Sequence, residues 1–328
     1  MAGKVRYSVV IPMYNEEEVI EGTYRRLKKV MSTAGEPYEL LFVNDGSRDR
    51  CAEIIREYAF WDSNVRLLEF SRNFGHQVAI TAGMDHAAGD AVILIDADLQ
   101  DPPELILRMI AKWKEGYDVV YAQRLKRKGE TWFKRATASA FYRVLRTCTD
   151  TPIPVDTGDF RLMDRRIVDE MKRLPEKNRF VRGLVSWVGF RQTAIEYERE
   201  ERLAGETKYP FRKMMKLCLD GITSFSSKPL KLAGYAGALM SAAGFVYLVY
   251  ILCLAVFTDS AVKGWTSLMG ITLLLDGVIL LMMGILGEYV GRIYDESKNR
   301  PLYILKEGGA QEKKPEPVRY RTVENQRG

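Results

Sequence analysis

The chain is poor in the residues that most often crosslink small folds or hold transition metals. Its 328 residues include only 4 cysteines (Cys51, Cys148, Cys218 and Cys253) and 2 histidines (His76 and His86). No CxxC spacing occurs, so neither a disulfide framework nor a cysteine-rich zinc site organises the fold. Two histidines exclude a histidine-rich metal site; both fall in or near a helical pattern and read as packing or capping residues. Neither GxxxxGK[ST] nor GxGxxG follows the first strand-like run, so the usual nucleotide phosphate cradles are missing. The opening residues, MAGKVRYSVVIP, lack the apolar core of a signal peptide and run straight into a strand. The first domain is therefore expected on the cytoplasmic side.

What is present divides the chain in two. A hydrophobic content of 47% supports a sizeable core, and a formal charge of +6 with pI ≈ 9.0 favours an anionic partner. Nucleic acid, a phospholipid surface and phosphorylated metabolites all satisfy that charge. Residues Leu232 to Phe257 carry no charge, and Gly264 to Gly287 are interrupted only by Asp276. At about 1.5 Å per residue, a helix over either run crosses a roughly 30 Å hydrocarbon layer. TDSAVK between them suits a helical hairpin. Lys228 and Lys231 precede the pair, Arg292, Lys298 and Arg300 follow it, and the connection holds only Lys263. The positive-inside tendency then places both termini in the cytoplasm, making a multi-pass protein of the cytoplasmic (inner) membrane. Asp276 is costly within a membrane helix unless it meets protein or water, and a helix–helix contact is expected there.

The first two hundred residues alternate. Tyr7–Ile11, Glu39–Val43, Arg66–Phe70, Ala91–Ile95 and Asp118–Ala122 are short apolar runs that read as strands. Helical patterns fill the gaps at Glu16–Met31, Arg50–Phe60, Gln77–Ala87 and Pro103–Lys114. This order predicts an α/β fold, a doubly wound and mostly parallel sheet with helices on both faces. Ligands of such sheets sit beyond the carboxyl ends of the strands. The loops there are PMYNEE, NDGSRD, SRNFGH and DADLQDPPE, all polar. The last holds Asp96 and Asp98 one residue apart after a buried run. Two such carboxylates repel unless a cation joins them, and magnesium or manganese so bound keeps positions open for diphosphate oxygens.

SVVIPMYNEEEVI, LLFVNDGSRD, FSRNFGHQVAITAGMDHAAGD, IDADLQDPPE and VDTGDFRLMDR together resemble the polyprenyl-phosphate glycosyltransferases of glycosyltransferase family 2. ILGEYVGRIYDESKNRPLYI, after two apolar runs, is similar to the bacterial subgroup with two membrane helices. The resemblance reaches to about residue 306 and implies a GT-A-type sheet domain. It implies that Pro12, Tyr14, Asn15, Glu16, Asp45, Asp96, Ala97, Asp98 and Gln100 bind the nucleotide sugar. Asp96 and Asp98 would be the metal ligands, for Mg2+ or Mn2+. Asp159 matches the acid nearest the reacting centre, as general base or as orienter of the acceptor, with Asp156 a competing choice. Arg124, Arg135, Ser139, Arg202 and Lys208 match residues that contact the acceptor phosphate.

Composition adds to this beyond the resemblance. Between Arg124 and Arg146 stand eight Lys or Arg and one acid, Glu130. At helical pitch Trp132, Phe133, Ala136, Ala140, Phe141, Val144 and Leu145 form one face, with Arg135, Ser139, Arg143 and Arg146 across it. The pattern suits an interfacial helix at 131–147 or an amphipathic helix on a soluble core. The expected organisation is a catalytic domain over 1–208, a juxtamembrane helix over 209–228, a membrane hairpin over 229–291 (helices about 232–257 and 264–287), and a cytoplasmic segment with a disordered tail over 292–328. The expected activity is inverting transfer of a hexose, glucose from UDP-glucose, to undecaprenyl phosphate. N-acetylglucosamine, galactose, mannose or a modified arabinose are the alternatives within the class, and a nonenzymatic membrane-anchored scaffold is the alternative outside it. Expected partners are the nucleotide sugar, undecaprenyl phosphate, the bilayer and further copies of the chain, not nucleic acid.

Overall fold

A computed structural model describes residues 4–125, 157–198, 228–257 and 264–306. In chain order the elements begin β1 (Tyr7–Met13), α1 (Glu17–Ala34), β2 (Tyr38–Asn44), α2 (Cys51–Trp61), β3 (Val65–Glu69), α3 (His76–His86), β4 (Ala91–Leu94), α4 (Leu105–Lys114) and β5 (Val119–Arg124). After these come β6 (Thr157–Asp164), α5 (Arg165–Arg173), α6 (Val181–Val188), β7 (Gln192–Tyr197), α7 (Lys228–Phe257) and α8 (Trp265–Ser297). Every strand and helix expected before residue 125 is present, with no end moved by more than three residues. The interfacial helix expected at 131–147 lies outside the described residues, as does the juxtamembrane helix expected at 209–228 except for its last residue.

Seven strands form one sheet in the order β3-β2-β1-β4-β6-β5-β7. Strands β1, β2, β3 and β4 are parallel, β5 and β7 are parallel to each other, and β6 runs antiparallel between β4 and β5. Helices cover both faces, so the strands read as nearly unbroken apolar runs rather than alternating ones. Their side chains still alternate. Val9, Ile11, Leu40, Phe42 and Ile93 join α1, α2 and α4 in one apolar layer. Val10, Leu41, Val43, Val92 and Leu94 join α3, α5 and α6 in the other. Each such buried side chain contributes roughly 1.5–3 kcal/mol. Gly83 lets α3 approach the sheet, because a Cβ there would stand 2.1 Å from Val10 Cγ1.

α1 stops at Gly35, whose φ of 70° is left-handed. Asp164 starts α5 by accepting from the Arg166 N–H at 3.0 Å. The strand order reverses between β1 and β4, which is the switch point at which such sheets open a crevice.

α7 and α8 pack side by side, with the Gly237 Cβ position 3.5 Å from Met282 Sδ. Among the described residues one helical stretch, Leu275–Ser297, is long and apolar enough to cross a membrane. Asp276 is exposed on α8 rather than enclosed in a helix contact. Past α8 the chain returns to the sheet. Ser71 N–H donates to the Ile304 carbonyl at 2.9 Å and Lys306 N–H to the Glu69 carbonyl at 2.8 Å. The Tyr303 ring stacks on Phe70 with centroids 5.3 Å apart, and its hydroxyl donates to Asp85 Oδ2 at 3.2 Å.

Candidate active site

The carboxyl ends of β1, β2, β3 and β4 bring the four polar loops together. The loop after β1 turns at Asn15, whose φ is 53°; asparagine tolerates that left-handed region better than most residues. Asn15 Oδ1 accepts from the Arg48 N–H at 2.9 Å, and the Asn15 N–H donates to Ser47 Oγ at 3.1 Å. The first two loops are therefore tied to each other. Pro12 is buried within β1, while Tyr14 stays exposed beside Glu16. Asp45 is buried, and its carboxylate accepts from Phe74 N–H at 2.7 Å, Gly75 N–H at 3.0 Å and Asn73 Nδ2 at 2.9 Å. Burial raises its pKa against the pull of those backbone donors. An acid expected to face the donor thus shapes the loop that ends in His76.

The loop after β4 carries the paired acids. Asp98 Oδ1 accepts from the Gln100 N–H at 3.1 Å and closes a tight turn through Leu99 at φ 56°. The buried Ala97 carbonyl accepts from Thr23 Oγ1 at 2.7 Å, which fixes this loop on α1. Asp159 arrives from far along the sequence. In the antiparallel ladder Leu94, the last residue of β4, faces Arg161, so the start of β6, with Asp159, extends past β4 toward the loop of Asp96. The inserted strand β6 exists in the right register to deliver that acid.

Around Asp159 three side chains converge. His76 Nε2 lies 3.2 Å from Asp159 Oδ2 and 3.5 Å from Asp96 Oδ1. Gln77 Nε2 donates to the same Oδ2 at 3.2 Å, while Gln77 Oε1 accepts from the Val181 N–H at 2.9 Å. Arg182 Nε stands 3.0 Å from Asp159 Oδ1 as an ion pair without hydrogen-bond alignment, and its Nη1 donates to the Thr157 carbonyl at 3.0 Å. Arg161, two residues along β6, donates to the Gly158 and Asp159 carbonyls, at 3.0 and 3.3 Å.

The charges separate the two facing acids. Desolvation pushes Asp96 up to about 6; His76 pulls it down, and the carboxylates of Asp159, Asp98 and Asp101 push it further up. Asp159 is desolvated too, yet Arg182 and then His76 hold it well below the ordinary carboxylate range. Desolvation lowers His76, but Asp96 and Asp159 overcome it and raise the imidazole to about 9.

Arg124, expected at the acceptor phosphate, is engaged within the described residues. Its Nε donates to the Tyr197 hydroxyl at 3.1 Å and its Nη2 is 3.6 Å from Asp101 Oδ2. The Tyr197 hydroxyl in turn donates to Asp101 Oδ1. Arg135, Ser139, Asp156, Arg202 and Lys208 lie outside the described residues.

Two acids with retained repulsion fit a hard divalent cation. Gln100 Oε1 is buried without a hydrogen-bond partner, a further oxygen acceptor in the same loop. Among the described residues no group of three or more His, Cys, Asp or Glu could enclose a metal. A cation at this loop would have two carboxylates and would need substrate oxygens to complete its coordination, a habit of magnesium and manganese.

Paired carboxylates beyond the fourth strand of a mostly parallel sheet fit the GT-A-type glycosyltransferase fold. Residues 8–172 match the Glycosyl transferase family 2 model and residues 228–293 the GtrB C-terminal hairpin; the chain belongs to glycosyl transferase family 2. It is 66% identical to the uncharacterized glycosyltransferase YkcC of Bacillus subtilis, over 93% of this chain and 94% of that protein. It is 43% identical to the bactoprenol glucosyl transferase of Shigella phage SfV, over 92% and 98%. A mannosyl-3-phosphoglycerate synthase structure from Rubrobacter xylanophilus is similar at 16% identity over 70% of this chain and 75% of that one, with TM-score 0.47.

Proposed function

We propose that this glycosyltransferase moves glucose from UDP-glucose to undecaprenyl phosphate, the phosphate of bactoprenol, with inversion at the anomeric carbon. The meeting of Asp159 and Asp96 at one imidazole nitrogen, His76 Nε2 at 3.2 and 3.5 Å, carries the reading, because it puts the acid expected at the reacting centre beside an acid of the donor loop. The phage relative named bactoprenol glucosyl transferase supports the choice of sugar and carrier. An oxygen of the acceptor phosphate attacks the anomeric carbon; the new carbon–oxygen bond forms as the bond to the nucleotide diphosphate breaks. Asp96 and Asp98 would hold a magnesium or manganese ion, which supplies positive charge to the departing diphosphate. A phosphate monoester is already anionic at neutral pH, so little proton abstraction is needed. Asp159, kept ionised by Arg182 and His76, serves as a fixed charge that orients the reactants rather than as a proton store.

Arg124, Arg135, Ser139, Arg202 and Lys208 supply the positive charge for the acceptor phosphate in this reading. α7 and α8 form a membrane hairpin with both ends on the cytoplasmic face, as the flanking charges favour. The deciding experiment incubates membranes containing the full chain with undecaprenyl phosphate and a panel of nucleotide sugars, and measures lipid-linked sugar by mass. UDP-glucose should give the fastest transfer. A different preferred sugar replaces the donor assignment, and no product from any donor overturns the activity.

A further inference from the structure

Three side chains around Asp159 have no part in binding either substrate as described so far. His76 is the first residue of α3 and Gln77 the second; Arg182 is the second residue of α6. Two helices thus present nitrogens to one carboxylate, α3 as hydrogen-bonding partners and α6 as a charge. We propose that His76, Gln77 and Arg182 are positioning residues, which hold the Asp159 carboxylate at the reacting centre and tie it through His76 to Asp96. The inference rests on the functional reading above, which places Asp159 near the acceptor.

The geometry is specific. Asp159 Oδ2 meets His76 Nε2 and the Gln77 amide nitrogen, each at 3.2 Å, and Oδ1 meets Arg182 Nε at 3.0 Å. Oδ2 takes both hydrogen-bonding nitrogens, and Oδ1 has the Arg182 charge beside it without a hydrogen bond, which favours one orientation of the group. Each holder is itself held. Gln77 Oε1 is fixed by the Val181 N–H and Arg182 Nη1 by the Thr157 carbonyl. His76 follows Gly75, in the loop that the Asp45 carboxylate gathers. The Gln77–Val181 bond also joins the start of α3 to the start of α6, so the two helices cannot shift independently without moving Asp159. His76 Nε2 lies within 3.5 Å of both acids, making His76 the link between Asp96 and the reacting centre.

Gln77→Glu separates positioning from structural support. It keeps the oxygen that accepts from Val181 but replaces the amide donor with a second carboxylate oxygen facing Asp159. Misplacement near the chemistry costs up to roughly a hundredfold. The turnover number should therefore fall roughly ten- to a hundredfold, with the donor KM within about threefold in protein that still unfolds cooperatively. Wild-type turnover in a folded Gln77→Glu protein would overturn the proposal. If that variant does not fold, His76→Ala should show the same loss and His76→Gln, whose amide nitrogen reaches the same place, should restore most of it; equal loss in both overturns the proposal.

A readout independent of sugar transfer keeps this apart from the activity itself. His86→Asn leaves His76 as the sole histidine of the chain. In that background Asp159→Asn should raise the rate at which diethyl pyrocarbonate modifies His76 several-fold, because the ring nitrogen loses a carboxylate partner. An unchanged rate removes the contact, and the proposal with it, whether or not glucose is the sugar.

Discussion

The sheet domain and the α7–α8 pair treat apolar surface in opposite ways. The first encloses Val9, Val10, Leu41 and Phe42 completely and displays its charges. The second leaves Leu239, Phe245, Leu280 and Ile293 exposed by about two-thirds or more along two long helices. Isolated apolar residues on a water-facing surface are ordinary, but a continuous apolar surface marks a non-aqueous partner. The contrast teaches that one chain is built for two solvents. Its polar interactions concentrate where strand ends meet, while the helical pair relies on apolar surface.

The sharpest way to test the polar half is to remove one acid. Asp98→Asn should abolish transfer, by roughly a thousandfold or more, while the protein still folds and inserts. EDTA should do the same to the wild type, reversibly on adding magnesium or manganese. Full turnover in EDTA would break the metal assignment. Initial rates alongside melting curves make the measurement.

Exposure alone cannot distinguish the two solvents, and a matched pair of substitutions can. Leu280 on α8 is 68% exposed and Trp61 at the end of α2 is 83% exposed. Leu280→Arg should cost about 2.5–3.5 kcal/mol of membrane insertion, read as protein lost from the carbonate-resistant membrane fraction. Trp61→Arg should leave stability within about 0.5 kcal/mol. Equal behaviour of the two would erase the distinction between the regions.

Smaller effects probe the packing of the sheet domain. Gly83→Ala drives a methyl into Val10 and should lower stability by about 1–3 kcal/mol, seen in denaturant titration. Gly22→Ala is its control: the added Cβ would sit 3.6 Å from Leu99 Cδ1, ordinary contact, and should stabilise α1 by about 0.5–1 kcal/mol. Tyr303→Phe should be the mildest, losing about 0.5–1.5 kcal/mol with the hydrogen bond to Asp85.

Much of the sheet was legible because its strands are covered on both faces and read as short apolar runs between polar loops. The segment VDTGDFRLMDR was not legible as a strand. It carries Asp159 and Arg161 into the interior, where pairing to carbonyls and to α3 and α6 outweighs the polarity that argues against burial. Donor-loop acids were readable from their position after β4. Asp159's partners were not, since contacts between residues 76 and 159 depend on antiparallel register rather than on spacing. One signal for His76 was available: it ends SRNFGH, one of the four loops already gathered at the strand ends. Asp45 and Arg124, expected as ligand contacts, also bond to the protein, to the Phe74 and Gly75 amides and to the Tyr197 hydroxyl, because burial at strand ends demands partners of its own.

Residues 304–306 have a consequence for how the molecule behaves among its neighbours. β3 is an outermost strand, and an uncovered outer strand offers unpaired amide and carbonyl groups on which another polypeptide can build. Here the bonds from Ser71 to Ile304 and from Lys306 to Glu69, with the bridge between Phe70 and Leu305, occupy those groups at the strand's carboxyl end. The chain thereby blunts its own template, so that this end of the sheet is closed to fibre-like growth by a segment more than two hundred residues away.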